Sequence, residues 1–426
     1  MHDAAHYLQG RLAMRVLLLF GSGYFLSYAF RAINAVIAPS LMADLTLSNA
    51  DLGLLSSAYF VGFASLQLPL GVWLDKYGPR RTEASLLIFA ALGAAVFASS
   101  TTLSGLWLGR ALIGVGVSAC LMAPYKAYRS WYAPERQSQL ASGMLVFGTA
   151  GALATTVPVA KLMPLIGWRG VFWLMSALIV IVTVTLFTRL RDVERERMTF
   201  TVTAASDSGA LSYRAIFSHP YFRRMALLGS VHQGGFMAVQ TLWAGPWMTQ
   251  VLGLSVAQTS LVLFGFNLAL LLSYLTLSWW APRHVSFGNQ GGWPALKVVG
   301  IGISLSILLQ LVMLLLPHPW AWMLWLPFAL LTTVSTLAQT HVSLSFPSTQ
   351  AGRVNSAYNL SLFIGAFIVQ WGLGLLIDLF VSHGWETSPA LRLAWLVYLL
   401  AQAFALFRFA TSKAVVVTPT GATPTP

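Results

Sequence analysis

Runs of about twenty apolar residues follow one another along almost the whole chain, and short polar turns separate them. A helix needs about twenty such residues to cross the hydrocarbon core of a bilayer. Only 9% of the residues are charged, whereas the helices of a soluble bundle carry charged outer faces. The runs therefore predict an all-α polytopic membrane protein and exclude a soluble one.

Hydropathy predicts twelve transmembrane helices, six on each side of one long polar segment. That segment, residues 190–221, is predicted to link an N-terminal six-helix bundle at 1–189 to a C-terminal one at 222–410. Residues 411–426, rich in Thr, Pro and Ala, are predicted to be a disordered tail. The twelve predicted spans lie near residues 14–38, 50–73, 82–100, 104–126, 138–161, 168–189, 222–249, 256–280, 296–316, 319–341, 354–379 and 391–410.

The basic residues predict the orientation of these helices. Twenty of the 25 Lys and Arg residues fall on the side that holds residues 71–81, three fall on the other side and two lie within spans. Because cytoplasmic loops carry the excess of Lys and Arg, both termini and the linker are predicted to be cytoplasmic, in a bacterial inner membrane. The net charge of +13 therefore reflects topology and does not indicate a nucleic-acid partner.

The two halves share a pattern that indicates an internal repeat. RQSQLASGMLVFGTAGA, from residue 136, matches QAGRVNSAYNLSLFIGA, from residue 350. Ser142 and Ser356 fall in register, as do Gly151 and Gly365. Such repeats are typical of transporters whose substrate site lies between two pseudo-symmetric bundles.

The charged turn GVWLDKYGPRR, at residues 71–81, lies between two long apolar runs and must therefore lie at a membrane surface. Its spacing of Gly71, Asp75, Gly78, Arg80 and Arg81 resembles the signature loop between the second and third helices of the major facilitator superfamily. In the second half the equivalent turn, SWWAPRHVSFG, lacks the Asp.

The resemblance extends over about residues 11–410 and implies a transporter of twelve helices that works by alternating access, with no enzyme activity, cofactor or metal. The five residues of the turn are predicted to form the cytoplasmic gate. Asp75 is expected to pair with Arg80 or Arg81, or to accept backbone N–H bonds at a helix start.

Arg31 is the main candidate for a substrate-binding residue, because a charge within the first span must face protein or water. Tyr24, Tyr28 and Asn34 share its helical face. The alternative is an Arg that extends to the outer surface. The segment YAFRAINAVIAP also resembles the first helix of organophosphate exchangers, where the Arg contacts the substrate's phosphate. The second Arg of those exchangers, in helix seven, is missing here, so the resemblance favours an anion of another kind.

Arg110 is the second intramembrane Arg, and it begins the run RALIGVG. This run resembles the fourth-helix motif of proton-coupled members of the superfamily, which implies a role in substrate binding or proton coupling. The alternative is a structural bond to backbone carbonyls. Gly114 and Gly116 would then permit close helix packing.

The second half supplies neutral polar candidates. Gln233 and Gln240 lie two turns apart on span seven, and a set of further polar side chains is spread over spans seven, eight and eleven. Amides opposite two Arg residues would suit a carboxylate with polar substituents. The further candidates for substrate contact are Trp243, Asn267 and Asn359; Tyr274, Asn355 and Gln370 are weaker ones.

His232 is predicted to be the coupling residue, together with Arg110, because no Asp or Glu is expected in mid-span and His titrates near neutral pH. The prediction is therefore a secondary transporter that takes up a small organic anion, a carboxylate-type metabolite. Protons are a candidate co-substrate. The protein is predicted to be a monomer surrounded by membrane lipid. Two alternatives stay open: an exporter of amphipathic compounds by proton antiport, and a membrane sensor with a transporter-like fold.

Overall fold

The computed structural model describes residues 7–133, 136–198, 213–286, 292–346 and 350–411. The helices of the first half are α1 (Gly10–Ala32), α2 (Asn34–Leu45), α3 (Asn49–Ser65), α4 (Pro69–Tyr77), α5 (Pro79–Ser99), α6 (Leu103–Val117), α7 (Met122–Trp131), α8 (Gln137–Ala154) and α9 (Val157–Arg189). Two short helices follow in the predicted linker, α10 (Arg191–Met198) and α11 (Tyr213–Ser218).

The helices of the second half are α12 (Pro220–Gly229), α13 (Gly235–Ala238), α14 (Ala244–Pro246), α15 (Val256–His284), α16 (Ala295–Leu315), α17 (Trp325–Thr333), α18 (Thr336–Leu344), α19 (Ala351–Ser382) and α20 (Thr387–Thr411). Three π-helical segments, Ser230–Gly234, Val239–Trp243 and Trp247–Val251, alternate with α12–α14. A 3₁₀ segment, Pro319–Leu324, precedes α17, and a two-residue parallel ladder pairs β1 (Val285–Ser286) with β2 (Trp293–Pro294).

The helix lengths confirm the predicted fold class. In the described residues nine segments are long and apolar enough to cross a membrane, and the bent pair α3–α4 raises the number to ten. Predicted span five lies in α8 and the start of α9, which bends at Gly167 (φ 65°), and predicted span seven is the segment interrupted by π turns. The number twelve thus stays a prediction. The domain boundaries also stay predictions, and residues 199–212 and 412–426 lie outside the described residues.

Several spans are broken where the sequence disfavours a continuous helix. The second span bends by 54° between α3 and α4, where Pro69 has no N–H to donate and its ring would crowd the preceding turn. The fourth span is interrupted between Val117 and Met122, the ends of α6 and α7. Ser48 begins α3 by a capping box with Asp51. These breaks place short helices at the end of the bundle that holds residues 71–81, named here the turn end.

Glycines allow the helices of the first half to pack backbone against backbone. A Cβ at Gly114 would lie 2.1 Å from the carbonyl oxygen of Tyr59, and one at Gly116 would lie 2.1 Å from the backbone nitrogen of Ala90. Both glycines lie on α6, which packs against α3 and α5. The close packing expected from the RALIGVG run is present in the structure.

The two halves pack together at the end opposite the turn end, named here the opposite end. Helix α3 packs along α19, where the Asp378 carboxylate accepts bonds from both nitrogens of Asn49 (3.2 and 2.9 Å) and from the backbone nitrogen of Ala50 (2.7 Å). A Cβ at Gly374 would lie 2.4 Å from the Asn49 carbonyl oxygen. At the turn end, α4 packs on α5 and α7 of its own half, and α18 packs on α12, α16 and α19 of its own half. The halves are therefore closed at the opposite end.

Candidate functional site

A cavity of about 100 Å³ lies between the two halves. Its walls come from α1 and α8 on one side and from span seven, α15 and the end of α17 on the other. Five of the residues predicted to bind substrate line it together: Tyr28, Arg31, Gln233, Gln240 and Asn267. Tyr274, a weaker candidate, lines it too.

Arg31 is the cation of this cavity. Its guanidinium carbon lies 4.7 Å from the ring centre of Tyr28, and 5.5, 5.5 and 5.7 Å from the rings of Tyr59, Phe63 and Phe363. Aromatic faces stabilise a cation without neutralising its charge. In the described part of the chain Arg31 has no carboxylate partner, and its Nε has no hydrogen-bond partner. The side chain therefore presents an uncompensated positive charge to the cavity.

Amide groups form the wall contributed by the second half. The Gln240 Nε2 donates to the Asn267 Oδ1 (3.0 Å), and the Asn267 Nδ2 donates to the Leu263 carbonyl oxygen (2.8 Å). These bonds fix the two side chains but leave the Gln240 carbonyl oxygen and one amide hydrogen available. The Gln233 Oε1 has no partner among the described residues. Such a wall can donate to and accept from a polar ligand.

Three other predicted substrate contacts lie outside the cavity lining and bond within the protein. Asn34 is buried and donates to the Ser56 Oγ (2.8 Å). The Trp243 indole is also buried and donates to the Gln370 carbonyl oxygen (3.0 Å). Asn359 accepts from the Gln339 Nε2 (3.5 Å). Each joins neighbouring helices because a polar group away from water needs an internal partner.

Arg110 and His232 are both buried away from the cavity wall. The Arg110 Nη1 donates to the Phe30 carbonyl oxygen (2.8 Å), and its guanidinium lies over the rings of Phe97 and Phe172. The Phe30 carbonyl belongs to the residue before Arg31, so Arg110 supports the backbone at the cavity. The His232 Nδ1 donates to the Gln402 Oε1 (2.9 Å) within the second half.

The turn at 71–81 contains two ion pairs, and neither joins residues within the turn. Asp75 pairs with Lys126 of α7, in place of the expected Arg80 or Arg81. The Arg80 Nε donates to the Glu194 Oε2 (2.7 Å) of α10, and its backbone nitrogen donates to Oε1 (3.0 Å). Sequence spacing missed both partners because they come from distant parts of the chain.

The other members of the predicted gate lie around these pairs. Gly78 adopts a φ of +81°, which favours glycine, between α4 and α5. Arg81 is exposed. A Cβ at Gly71 would meet no atom of the described residues within 4 Å, so no helix packs closely against Gly71 in this conformation.

Glu83 is a buried titratable residue that sequence reasoning missed. It lies at the start of α5, and its side chain is fully buried. The signal that could have found it is its place within predicted span three, three residues after Arg80.

The membrane-spanning helices form two halves with a charged cavity between them. This arrangement is typical of polytopic transporters. This chain belongs to the Major Facilitator Superfamily, because the family model matches residues 20–370. The predicted family is therefore confirmed, and the protein is an integral membrane protein.

Known relatives match parts of the chain. The 4-hydroxybenzoate transporter PcaK of Pseudomonas aeruginosa is 27% identical over 266 residues, which cover 62% of this chain and 57% of PcaK. The hexuronate transporter of Escherichia coli K12 is 30% identical over 161 residues, 37% of this chain and 36% of the relative. The matched segments thus span little more than half of the first relative and about a third of the second.

The fold matches a solved structure over nearly its full length. A bacterial homologue of the human lysosomal transporter Spinster, in an inward-facing and occupied conformation, superposes with a TM-score of 0.76. The two chains are 17% identical, and the superposition covers 95% of this chain and 97% of the other. This likeness concerns the fold.

Proposed function

We propose that this protein is a secondary transporter of a small organic anion, and that Arg31 is the residue that binds the anion. The observation that carries the proposal is the uncompensated guanidinium of Arg31 in a cavity between the two halves. The relatives named for 4-hydroxybenzoate and hexuronate, both carboxylates, support an anionic cargo.

The composition of the cavity favours an anion that also carries neutral polar groups. Its lining includes one cation and no Asp or Glu. A carboxylate can accept two parallel bonds from a guanidinium, which gives both affinity and orientation. Hydroxyl or carbonyl groups on the same molecule can bond to Gln233 and Gln240 on the opposite wall.

Closure of the halves at the opposite end supports transport by alternating access. We propose that the turn end is cytoplasmic, as the distribution of basic residues predicts, so that the cavity delivers its anion to the cytoplasm of a bacterium. A co-transported proton would compensate the charge of the anion. For transport to proceed, the contacts of Asp378 with Asn49 and Ala50 must open once in each cycle.

The turn at 71–81 is proposed to act as the gate of the turn end. The Asp75–Lys126 pair joins α4 to α7, and both partners keep access to solvent, with 70% and 36% of their side chains exposed. Asp75→Asn should slow transport while leaving substrate affinity nearly intact. A large loss of affinity at normal turnover would contradict this role.

The site assignment is tested by uptake in proteoliposomes that contain the purified protein. Labelled 4-hydroxybenzoate, glucuronate and a sugar phosphate are the probes, each with and without an inward proton gradient. Arg31→Ala should weaken apparent affinity by roughly 10- to 100-fold, the equivalent of a hydrogen bond to a charged group at about 1.5–3 kcal/mol. Arg31→Lys should recover part of the loss, because the charge remains and the planar fork does not.

The matched control is Arg129→Ala, which removes an exposed Arg of α7. This variant should transport like the parent. Anion uptake by Arg31→Ala equal to that of the parent would show that the site assignment is wrong. Competition by lipophilic cations, with none by the anions, would replace the proposal by export of amphipathic compounds.

A further inference from the structure

Glu83 is a carboxyl group without a compensating charge in the interior of the first half. Its side chain is fully buried, and among the described residues no cation pairs with it. An ionised carboxylate is strongly disfavoured there, because neither water nor a partner replaces its hydration shell. The carboxyl therefore holds its proton in this conformation.

The groups that face Glu83 are neutral. On α1 the neighbour is Gly23, where a Cβ would lie 2.4 Å from the Glu83 Oε1 and 3.8 Å from the Cys120 Sγ. The Cys120 thiol faces the carboxyl from the segment between α6 and α7. The Tyr128 hydroxyl of α7 donates to the Met144 Sδ (3.3 Å). On α5 itself, Arg80 is bonded to Glu194.

The residues that surround Glu83 can transmit motion from the cavity at Arg31. Gly23 lies on the same helix as Arg31, eight residues earlier and about 12 Å along the axis. Cys120, which faces Glu83, belongs to the break between α6 and α7, a natural point for bending. Movement of α1 that accompanies substrate binding at Arg31 would therefore displace Gly23 from the Glu83 carboxyl group.

We propose that Glu83 is a proton-binding site coupled to the Arg31 site. In the conformation described here the carboxyl oxygen keeps its proton. When α1 moves away from α5, water enters past Gly23 and takes up the proton, which leaves a carboxylate at Glu83. This inference rests on the proposed transport function and adds the group that carries the proton.

The protonation state can be tested without any transport assay. Infrared spectra of the purified protein at neutral pH should contain the carbonyl stretch of a neutral carboxylic acid, and Glu83→Gln should lack it. The matched control is Glu386→Gln, which removes an exposed carboxylate and should leave the band unchanged. A band that persists in Glu83→Gln, or that is absent from the parent, would overturn the proposal.

The coupling is tested in proteoliposomes with labelled 4-hydroxybenzoate as the probe and the membrane potential collapsed. A gradient of one pH unit supports at most about tenfold accumulation when one proton moves with each monovalent anion. Glu83→Gln should abolish this accumulation but retain exchange of labelled for unlabelled anion at equal pH. Arg129→Ala should accumulate the anion like the parent, and His232→Gln tests the other buried candidate for proton coupling.

The outcomes separate this inference from the proposed function. Accumulation by Glu83→Gln equal to that of the parent, or its loss in His232→Gln alone, refutes the role of Glu83. Loss of both accumulation and exchange in Glu83→Gln also refutes it, because a coupling group is not needed for exchange. A parent that moves neither 4-hydroxybenzoate nor glucuronate contradicts the proposed function, and the infrared band then still decides the state of Glu83.

Discussion

Removal of one partner from the ion pair between Arg80 and Glu194 should cost far more stability than the same change in other charged contacts at the turn end. Its side chains are only 4% and 2% exposed, and the carboxylate accepts from both the Nε and the backbone nitrogen of Arg80. Glu194→Gln keeps one acceptor but leaves a buried guanidinium without its counter-charge. Its remaining bond from Nη1 to the Phe187 carbonyl oxygen (2.6 Å) is to a neutral group.

The expected loss for Glu194→Gln is about 3–5 kcal/mol, the range for removal of one partner from a buried pair. Asp75→Asn makes the same change of carboxylate to amide in the exposed Asp75–Lys126 pair, where a loss of about 0–1 kcal/mol is expected. The comparison separates burial from the mere presence of an ion pair.

The measurement is the free energy of unfolding in mixed detergent micelles, titrated with a denaturing detergent. A double-mutant cycle with Arg80→Met and Glu194→Leu should show strong coupling, and the double variant should recover much of the stability, because two apolar groups leave no unpaired charge. A loss in Glu194→Gln no larger than that in Asp75→Asn would refute the reasoning.

Three further predictions concern the opposite end and the cavity. Gly374→Val should push α3 away from α19, because a Cβ at Gly374 would lie 2.4 Å from the Asn49 carbonyl oxygen. In a Cys120→Ala background, it should therefore raise the rate at which an impermeant maleimide labels Ala50→Cys. Gly372→Val, where a Cβ meets nothing within 4 Å, is the control and should leave the rate unchanged. Asp378→Asn should raise the same labelling rate because the charged acceptor is lost, and an unchanged rate would contradict the closed arrangement. Gln240→Leu should weaken glucuronate binding by about 0.5–1.5 kcal/mol. The loss for 4-hydroxybenzoate should be smaller, because that compound has fewer hydroxyl groups to bond to the amide side chains. Equal losses for the two compounds in competition assays would argue against that contact.

The sequence predicted the fold class and part of the cavity because each depends on local or periodic information. Apolar runs indicate membrane helices directly, and the burial cost of a charge identified Arg31 without any knowledge of its neighbours. Tyr28 followed from helical spacing, and Gln233 and Gln240 from their shared face on span seven.

Other parts of the site depend on contacts between distant residues, which spacing does not reveal. Lys126 and Glu194 became partners of Asp75 and Arg80 only through packing of α7 and α10 on the turn. Glu83 was missed for a related reason: its burial depends on neighbours that are distant in the sequence, among them Gly23 of α1 and Cys120. Similarly, Asn34 shares a helical face with Arg31, yet Ser56 of α3 provides its partner.

The three hydrogen bonds that one carboxylate, Asp378, accepts at the start of α3 have a kinetic consequence. All three bonds end on the same carboxylate of α19, so separation of α3 from α19 must break them nearly together. Loss of this one carboxylate would therefore remove all three bonds together and shorten the lifetime of the closed conformation.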